Sequence, residues 1–209
     1  MRGGAGALHD RAIEPVARVE TMEIERAAVV LGSTQSFDTV DGERATELGF
    51  DLVRRRSGGG VVILQPGDHA WLDVTVPRGH ALWDDDVERA THWLGEAWCE
   101  ALRDAVGDGV WSVHRGKLTA DATQRAVCFA AVGPGEVLRD GRKVVGVSQR
   151  RTKDAARFQC TVFRAIETRT YSQVLRQAPP VSLAQAVGVG ARLDALTHHT
   201  VARLREVLG

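Results

Sequence analysis

Asp51-Leu-Val-Arg-Arg-Arg-Ser-Gly-Gly-Gly-Val-Val-Ile-Leu64 sets two short β-branched runs on either side of three arginines, a serine and three consecutive glycines. Runs of this length and composition predict buried strands over Asp51–Arg55 and Val61–Gln65. Three glycines between strands cost backbone entropy, which is offset where the chain needs positive φ or where something approaches the bare backbone. Arginines at the entry suit a negatively charged visitor, because guanidinium forks and free N–H groups both fit carboxylate or phosphate oxygens. The same residues also suit a hairpin with a flexible turn and a solvated basic flank, and the stretch alone does not separate the two readings.

Working outward, Arg26–Leu31 is an apolar strand candidate closed by Gly32-Ser-Thr-Gln35, and Asp38–Leu48 predicts a short helix stopped at Gly49. Pro66-Gly67-Asp68 is a turn, and Ala70-Trp-Leu-Asp-Val-Thr-Val76 alternates as a strand. Asp84–Asp86 open a helix, with Asp85 and Glu88 as a capping box and a face of Val87, Ala90, Leu94, Ala97, Ala101 and Val106. Val110–His114 and Ala126–Val132 are apolar segments. Glu136–Arg164 reads as a β meander turning first at Asp140-Gly141. Ser182 and Gln185 give a second capping pattern, and Leu193, Leu196, Val201, Leu204 and Leu208 line a final helix. The expected fold class is α+β, a mixed, largely antiparallel central sheet flanked by helices. Residues 1–25 read as a poorly structured or helical lead-in, and 26–209 as a single domain.

The 209 residues carry zero formal net charge, so no general binding to nucleic acid or to a membrane surface is indicated. No run is apolar and long enough to span a bilayer, and the N-terminal residues lack the apolar core of a signal peptide. Cys99, Cys128 and Cys160 are odd in number and far apart, which argues against a disulfide framework or zinc site and for a reducing cytoplasm. His198 and His199 are adjacent on a helix and point apart, so no metal site is expected there. The P-loop, HExxH, GxSxG and dinucleotide patterns are all missing.

Among 27 basic residues only Lys117, Lys143 and Lys153 are lysines. Lys143 follows a tight turn at the start of an apolar strand, with Gly146 three residues on. A lysine there can turn its ammonium to one side of the sheet, where partial burial strengthens its pull on an oxyanion, while Gly146 leaves room for a ligand. Without further context it is equally a solvated lysine at a strand entrance.

Arg54-Arg-Arg-Ser-Gly-Gly-Gly60, followed some eighty residues later by Gly141-Arg-Lys-Val-Val-Gly-Val-Ser-Gln149, resembles the lipoate-protein ligase A group of the biotin and lipoate protein ligase family. The first stretch matches that family's RRxSGGG loop and the second its K-x-x-G-x-A/S-Q lysine signature; Leu31-Gly-Ser-Thr-Gln35 matches its G-x-x-Q segment. The resemblance implies the fold of biotin ligase catalytic domains. It also implies an activity, attachment of a lipoyl or octanoyl group to a lysine of a lipoyl-carrier domain, as in a 2-oxoacid dehydrogenase subunit or the glycine cleavage H protein. Lys143 would hold the acyl carbonyl or the phosphate of an acyl-adenylate. Arg54, Arg55, Ser57, Gly58, Gly59, Gly60 and Gly146 would line the acyl and adenylate groove, with ATP and magnesium as implied cofactors.

Three features depart from the ligase pattern. Gly133-Pro-Gly-Glu-Val137 stands where ligases carry Asn-Asp, leaving Glu136 as the stand-in acid for nucleotide and magnesium. Phe158-Gln-Cys-Thr161 replaces a His-Gly-Thr/Ser segment, and a catalytic domain without the accessory C-terminal domain of longer ligases is expected. Val127-Cys-Phe129 opens a second route, since it resembles a Cys-Phe of octanoyltransferases of the same fold, whose cysteine takes the acyl group from an acyl carrier protein. A cysteine amid apolar residues is as readily a core residue. A third reading, of another class, is a non-catalytic acyl-binding relative.

Overall fold

The computed structural model describes residues 1–209 and sets the glycine stretch where two sheets face one another. In chain order the elements are β1 (Arg2–Gly3), α1 (Ala5–Asp10), β2 (Arg18–Ile24), β3 (Ala28–Leu31), α2 (Gly42–Glu47), β4 (Asp51–Arg54), β5 (Val62–Leu64) and β6 (His69–Pro77). There follow α3 (His92–Val106), β7 (Trp111–Val113), β8 (Val137–Arg139), β9 (Arg142–Arg151), β10 (Ala155–Phe163), α4 (Thr168–Val174) and α5 (Leu193–Leu208). A seven-stranded sheet runs β1-β2-β6-β10-β9-β8-β7, antiparallel except between β1 and β2. The second sheet runs β4-β3-β5, with β3 parallel to β4 and antiparallel to β5.

The hairpin reading of the glycine stretch is overturned. β4 and β5 do not pair; they lie on opposite sides of β3, so the glycines carry the chain across the end of β3. Only β5 is fully buried, whereas β4 is a half-buried edge strand.

The large sheet has two chemically different faces. On one, Leu72 and Val74 of β6 and Phe158, Cys160 and Val162 of β10 pack under α3 and α5, where Leu94, Trp98, Leu196 and Leu204 lie at or near zero exposure. The opposite face carries Trp71 and meets β3, β5 and the turn at Phe129. Register makes that second face explicit. Trp71 lies opposite Thr161 and Thr161 opposite Gly146, while Asp73 lies opposite Gln159 and Gln159 opposite Ser148. Because strand side chains alternate, these two rows share one face, and that face floors the candidate site.

The meander is observed as expected. Asp140 and Gly141 both take positive φ, 52° and 76°, as a two-residue primed turn between β8 and β9 requires. Other segments differ. Residues 1–25, read as a poorly structured or helical lead-in, do hold the short helix α1, with Ala5 and Leu8 buried, but they also supply β2, which joins the large sheet beside β6. Val19 of β2 faces the core under the helices while Met22 and Ile24 face the opposite one, and the charges between them hide both patterns. The first long helix starts at His92. Asp84–Asp86 form a turn in which the Asp86 carboxylate caps the N–H groups of Glu88 and Arg89, while Asp85 accepts from Trp83. Val87 is accordingly exposed. Ser182 caps no helix; it donates to the Ala130 carbonyl from a 3-10 turn. Ala126–Val132, an apolar run, forms 3-10 turns bounded by single bridges.

Candidate functional site

The glycine loop is held from inside by Arg55, which is 4 % exposed. Its guanidinium donates to the carbonyls of Gly58 (2.8 Å), Gly60 (3.0 Å) and Val30 (3.4 Å), fixing the loop over the end of β3. Arg55 therefore acts as a clamp on backbone, and burial without a carboxylate partner holds its pKa below the usual arginine range. Arg54, expected at the ligand, is exposed and stacks over Phe37 at 4.1 Å, apart from the residues that line the groove described below. Ser57 is buried, sharing hydrogen bonds with Ser148 (3.0 Å) and Gln159 (3.3 Å).

Gly60 leads directly into Val61, and Val61 is stitched to the cysteine turn. The Val61 N–H donates to Ala126, and the Cys128 N–H returns to the Val61 carbonyl at 2.9 Å. Gln35 adds a third tie, accepting from the Gly32 N–H and donating to the Ala126 carbonyl. Lys143 supplies the fourth. Its ammonium donates to the carbonyls of Cys128 (2.8 Å) and Ala131 (2.9 Å) and pairs with Glu136 at 2.6 Å. An ammonium has three donors, and these three acceptors use them all. Lys143 is thus brought to the site, but as an internal cation under the cysteine turn. Glu136 is equally engaged: its two oxygens also accept from the N–H groups of Gly133 and Val147. Three of the roughly four acceptor sites of the Glu136 carboxylate are thus used inside the protein, which leaves little for the nucleotide and magnesium expected there.

Two hollows meet at Cys128. The outer groove, about 620 Å³, is lined by Gly58, Gly59, Gly60, Lys143 and Cys128, and its size falls within the roughly 300–1,000 Å³ of small-molecule clefts. A much smaller inner pocket, about 30 Å³ and so room for a water or two, runs from Cys128 over Gly146 to Trp71, His9 and Gln159. A Cβ at Gly146 would lie 3.1 Å from the Phe129 ring, so the bare glycine lets the turn sit close while the pocket continues beside it. Of the three thiols, Cys99 and Cys160 lie in the core, and burial pushes the Cys160 thiol up to about 12. Cys128 alone reaches the groove. No group of three or more His, Cys, Asp or Glu side chains comes together as a metal would require.

His9, Asp73 and Gln159 are the residues that sequence reasoning missed. Asp73 is fully buried; it accepts from Trp71 (2.7 Å) and Gln159 (3.2 Å), and Arg157 stands 3.7 Å away. Burial pushes its carboxyl up, against the opposing pull of Arg157. One signal was present, since an aspartate in the middle of Ala70–Val76 has no place in a purely apolar strand. His9 gave none. It stacks on Trp71 at 4.3 Å, and its carbonyl accepts from Arg157 at 2.8 Å.

Burial, with the Arg55 guanidinium second, lowers His9 to about 3; burial lowers His69 to about 4. Both rings stay neutral in the folded chain but take up a proton in the unfolded chain below the ordinary 6.5. The unfolded state then binds more protons, so this stability is complete above pH 6.5 and declines as pH falls toward 4 and 3. Urea midpoints should fall between pH 7 and pH 5, with a limiting loss of about 1.4 kcal/mol per pH unit and histidine. His9→Phe should flatten the slope; an unchanged slope would mean that other groups carry the dependence.

The family model for the lipoyl protein ligase A/B catalytic domain matches residues 9–207. The octanoyltransferase LipM of Staphylococcus epidermidis is 28 % identical over 145 residues, which are 68 % of this chain and 51 % of LipM, so the chain spans about half the length of that relative. Among solved structures, a lipoate-protein ligase A bound with ATP superposes with a TM-score of 0.72 at 19 % identity, covering 91 % of this chain and 72 % of the other. A bi-partite lipoate protein ligase from Thermoplasma acidophilum, studied with its E2 lipoyl domain, gives 0.67 at 16 %, covering 97 % and 75 %. These superpositions establish the mixed-sheet fold.

Proposed function

The chain belongs to the family of lipoyl protein ligase A/B catalytic domains, and from that premise we propose that it moves an octanoyl or lipoyl group onto a lysine of a lipoyl-carrier domain through a thioester on Cys128. The observation that carries this reading is the position of Cys128, the one thiol at the junction of the outer groove and the inner pocket. An acyl chain entering the inner pocket, which must widen from about 30 Å³ to take it, brings its carbonyl to that junction. The Cys128 thiolate attacks the carbonyl of an acyl carrier thioester, a new C–S bond forms, and the carrier thiolate leaves and takes up a proton. A neutral carrier lysine then attacks the acyl-enzyme; the amide C–N bond forms, the bond to Cys128 breaks, and the amine proton passes to the departing sulfur.

The adenylate route yields the same acylated lysine but needs a nucleotide and magnesium. Glu136 is the carboxylate lining the groove, and Lys143 and two N–H groups occupy its oxygens; Lys143 has no donor to spare. These residues do not fit a bound magnesium, and no step is derived through it. The likeness to LipM and to the T. acidophilum ligase studied with its E2 lipoyl domain supports acyl transfer and a lipoyl domain as acceptor. No helix is long and apolar enough to cross a membrane, and three free thiols suit the reducing cytoplasm we propose for it.

Incubation with octanoyl-acyl carrier protein should leave an octanoyl adduct on Cys128, visible by mass spectrometry, labile to hydroxylamine and lost in Cys128→Ala. No adduct from a competent donor, together with lipoate-dependent exchange of pyrophosphate into ATP, would transfer the assignment to the adenylate route.

A further inference from the structure

The far end of the inner pocket is built from polar groups whose hydrogen-bond directions can be worked out. Trp71 Nε1 can only donate, so Asp73 Oδ1, 2.7 Å away, is an acceptor there. The Gln159 atom 3.2 Å from the same oxygen must then be its NH2 group, which turns the Gln159 carbonyl oxygen toward Ser57 and His9. His9 Nδ1, 3.4 Å from that oxygen, accordingly carries the ring proton. The ring is neutral, held so by burial and by Arg55, with Arg157 acting in the same sense and Asp10 against it. In a neutral imidazole the other nitrogen keeps a lone pair. His9 Nε2 is that nitrogen; the residue is 5 % exposed, it lines the pocket, and Nε2 has no partner in the protein.

We propose that His9 is a specificity-determining residue whose Nε2 accepts a hydrogen bond from an S–H or O–H group near the far end of a medium-chain acyl substrate. The inference rests on the inner pocket being the acyl site. Distance supports the assignment to the far end. Phe129, next to Cys128, packs on Gly146 of β9, while His9 stacks on Trp71 of β6, with one strand between. Two strand spacings make roughly 10 Å, the reach of an extended eight-carbon chain. A chain anchored at Cys128 would thus end beside His9 once the inner pocket, about 30 Å³ in this structure, widens to take it and uncovers Nε2, which is closed to water here. An acyl tail with no donor leaves Nε2 desolvated and unpaired, a penalty that a thiol or hydroxyl there removes. The reduced, dithiol form of a lipoyl group belongs to the favoured class; octanoyl and the oxidised disulfide do not.

Equilibrium binding of octanoic, 8-hydroxyoctanoic, lipoic and dihydrolipoic acids to the wild-type chain, the last kept reduced, tests this without relying on a variant. The hydroxy and dithiol acids should bind about ten-fold tighter than their partners. His9→Phe, which keeps an aromatic ring on Trp71 but has no acceptor, should bring the ratios to about one, with folding checked by its melting transition. Equal binding of all four acids by wild type would overturn the role of His9 while leaving the acyl site standing. Persistence of the ratios in a folded His9→Phe chain would assign them to another acceptor and overturn it as well. If none of the acids binds, the acyl reading of the pocket falls, and this inference with it.

Discussion

Lys143→Met should lower the stability of the chain by about 3–5 kcal/mol, because the methionine leaves the Glu136 carboxylate buried without its cation. The side chains of the pair are 3 % and 6 % exposed, so water cannot replace the lost partner. Against a typical total of about 5–15 kcal/mol this is a large fraction. The double variant Lys143→Met/Glu136→Gln removes the stranded charge and should recover at least half of the loss. Urea unfolding of wild type, the single and the double variant measures the coupling; equal destabilisation of both variants would show that the ion pair is not the cause. Transfer should respond differently. The ammonium ties down the Cys128 and Ala131 carbonyls, and neither methionine variant has a donor for them. A displacement of about 1 Å at a reacting group costs on the order of 100-fold. Acyl transfer should therefore stay at least about 100-fold down even where stability returns, measured as the single-turnover rate of adduct formation at 4 °C. Recovery of that rate in the double variant would mean that Cys128 does not need the anchor.

Periodicity and turn chemistry revealed the frame of the molecule, and burial reversed several roles within the site. The meander was legible because Asp140-Gly141 needs two positive φ values, which few other dipeptides accept. The last helix was legible because Leu193, Leu196 and Leu204 recur on one face and are buried there. The glycine loop and Lys143 line one groove, a pairing that the family resemblance implied and neither stretch alone revealed. Their partners were not visible. Sequence cannot say whether an arginine faces a ligand or its own backbone, so Arg55 and Arg54 were read alike, although one is a buried clamp and the other an exposed stack. It also cannot tell that Glu136 sits opposite Lys143, because the two come from β9 and from the turn before β8. His9 reaches the pocket through α1, a six-residue helix with no side-chain N-cap, and its position follows from contacts with Arg157 and Trp71 far along the chain.

The three glycines of the loop, identical in sequence, should separate sharply on substitution. A Cβ at Gly58 would meet nothing within 4 Å, and its φ is not positive, so Gly58→Ala should change stability by no more than about 0.5 kcal/mol. Gly60 is different. A Cβ there would lie 2.6 Å from the Val127 backbone and 2.7 Å from that of Ala126, neither of which can rotate aside as a side chain can. Relief requires pushing the loop away from the cysteine turn, which breaks the Val61 bonds to Ala126 and Cys128. Overpacking of this kind typically costs about 1–3 kcal/mol, and contact with backbone rather than with a side chain places Gly60→Ala at the upper end. The displaced turn carries the nucleophile, so adduct formation at Cys128 should fall by about 100-fold or more. Gly58 borders the outer groove, so a methyl there should weaken donor binding and leave the rate at saturating donor near wild type. Comparing saturating rates with half-saturating donor concentrations for the two alanine variants distinguishes these effects. If both variants lose rate alike, the loop acts through ligand contact along its whole length; if Gly60→Ala retains rate, its close approach to Val127 does not set the position of the thiol.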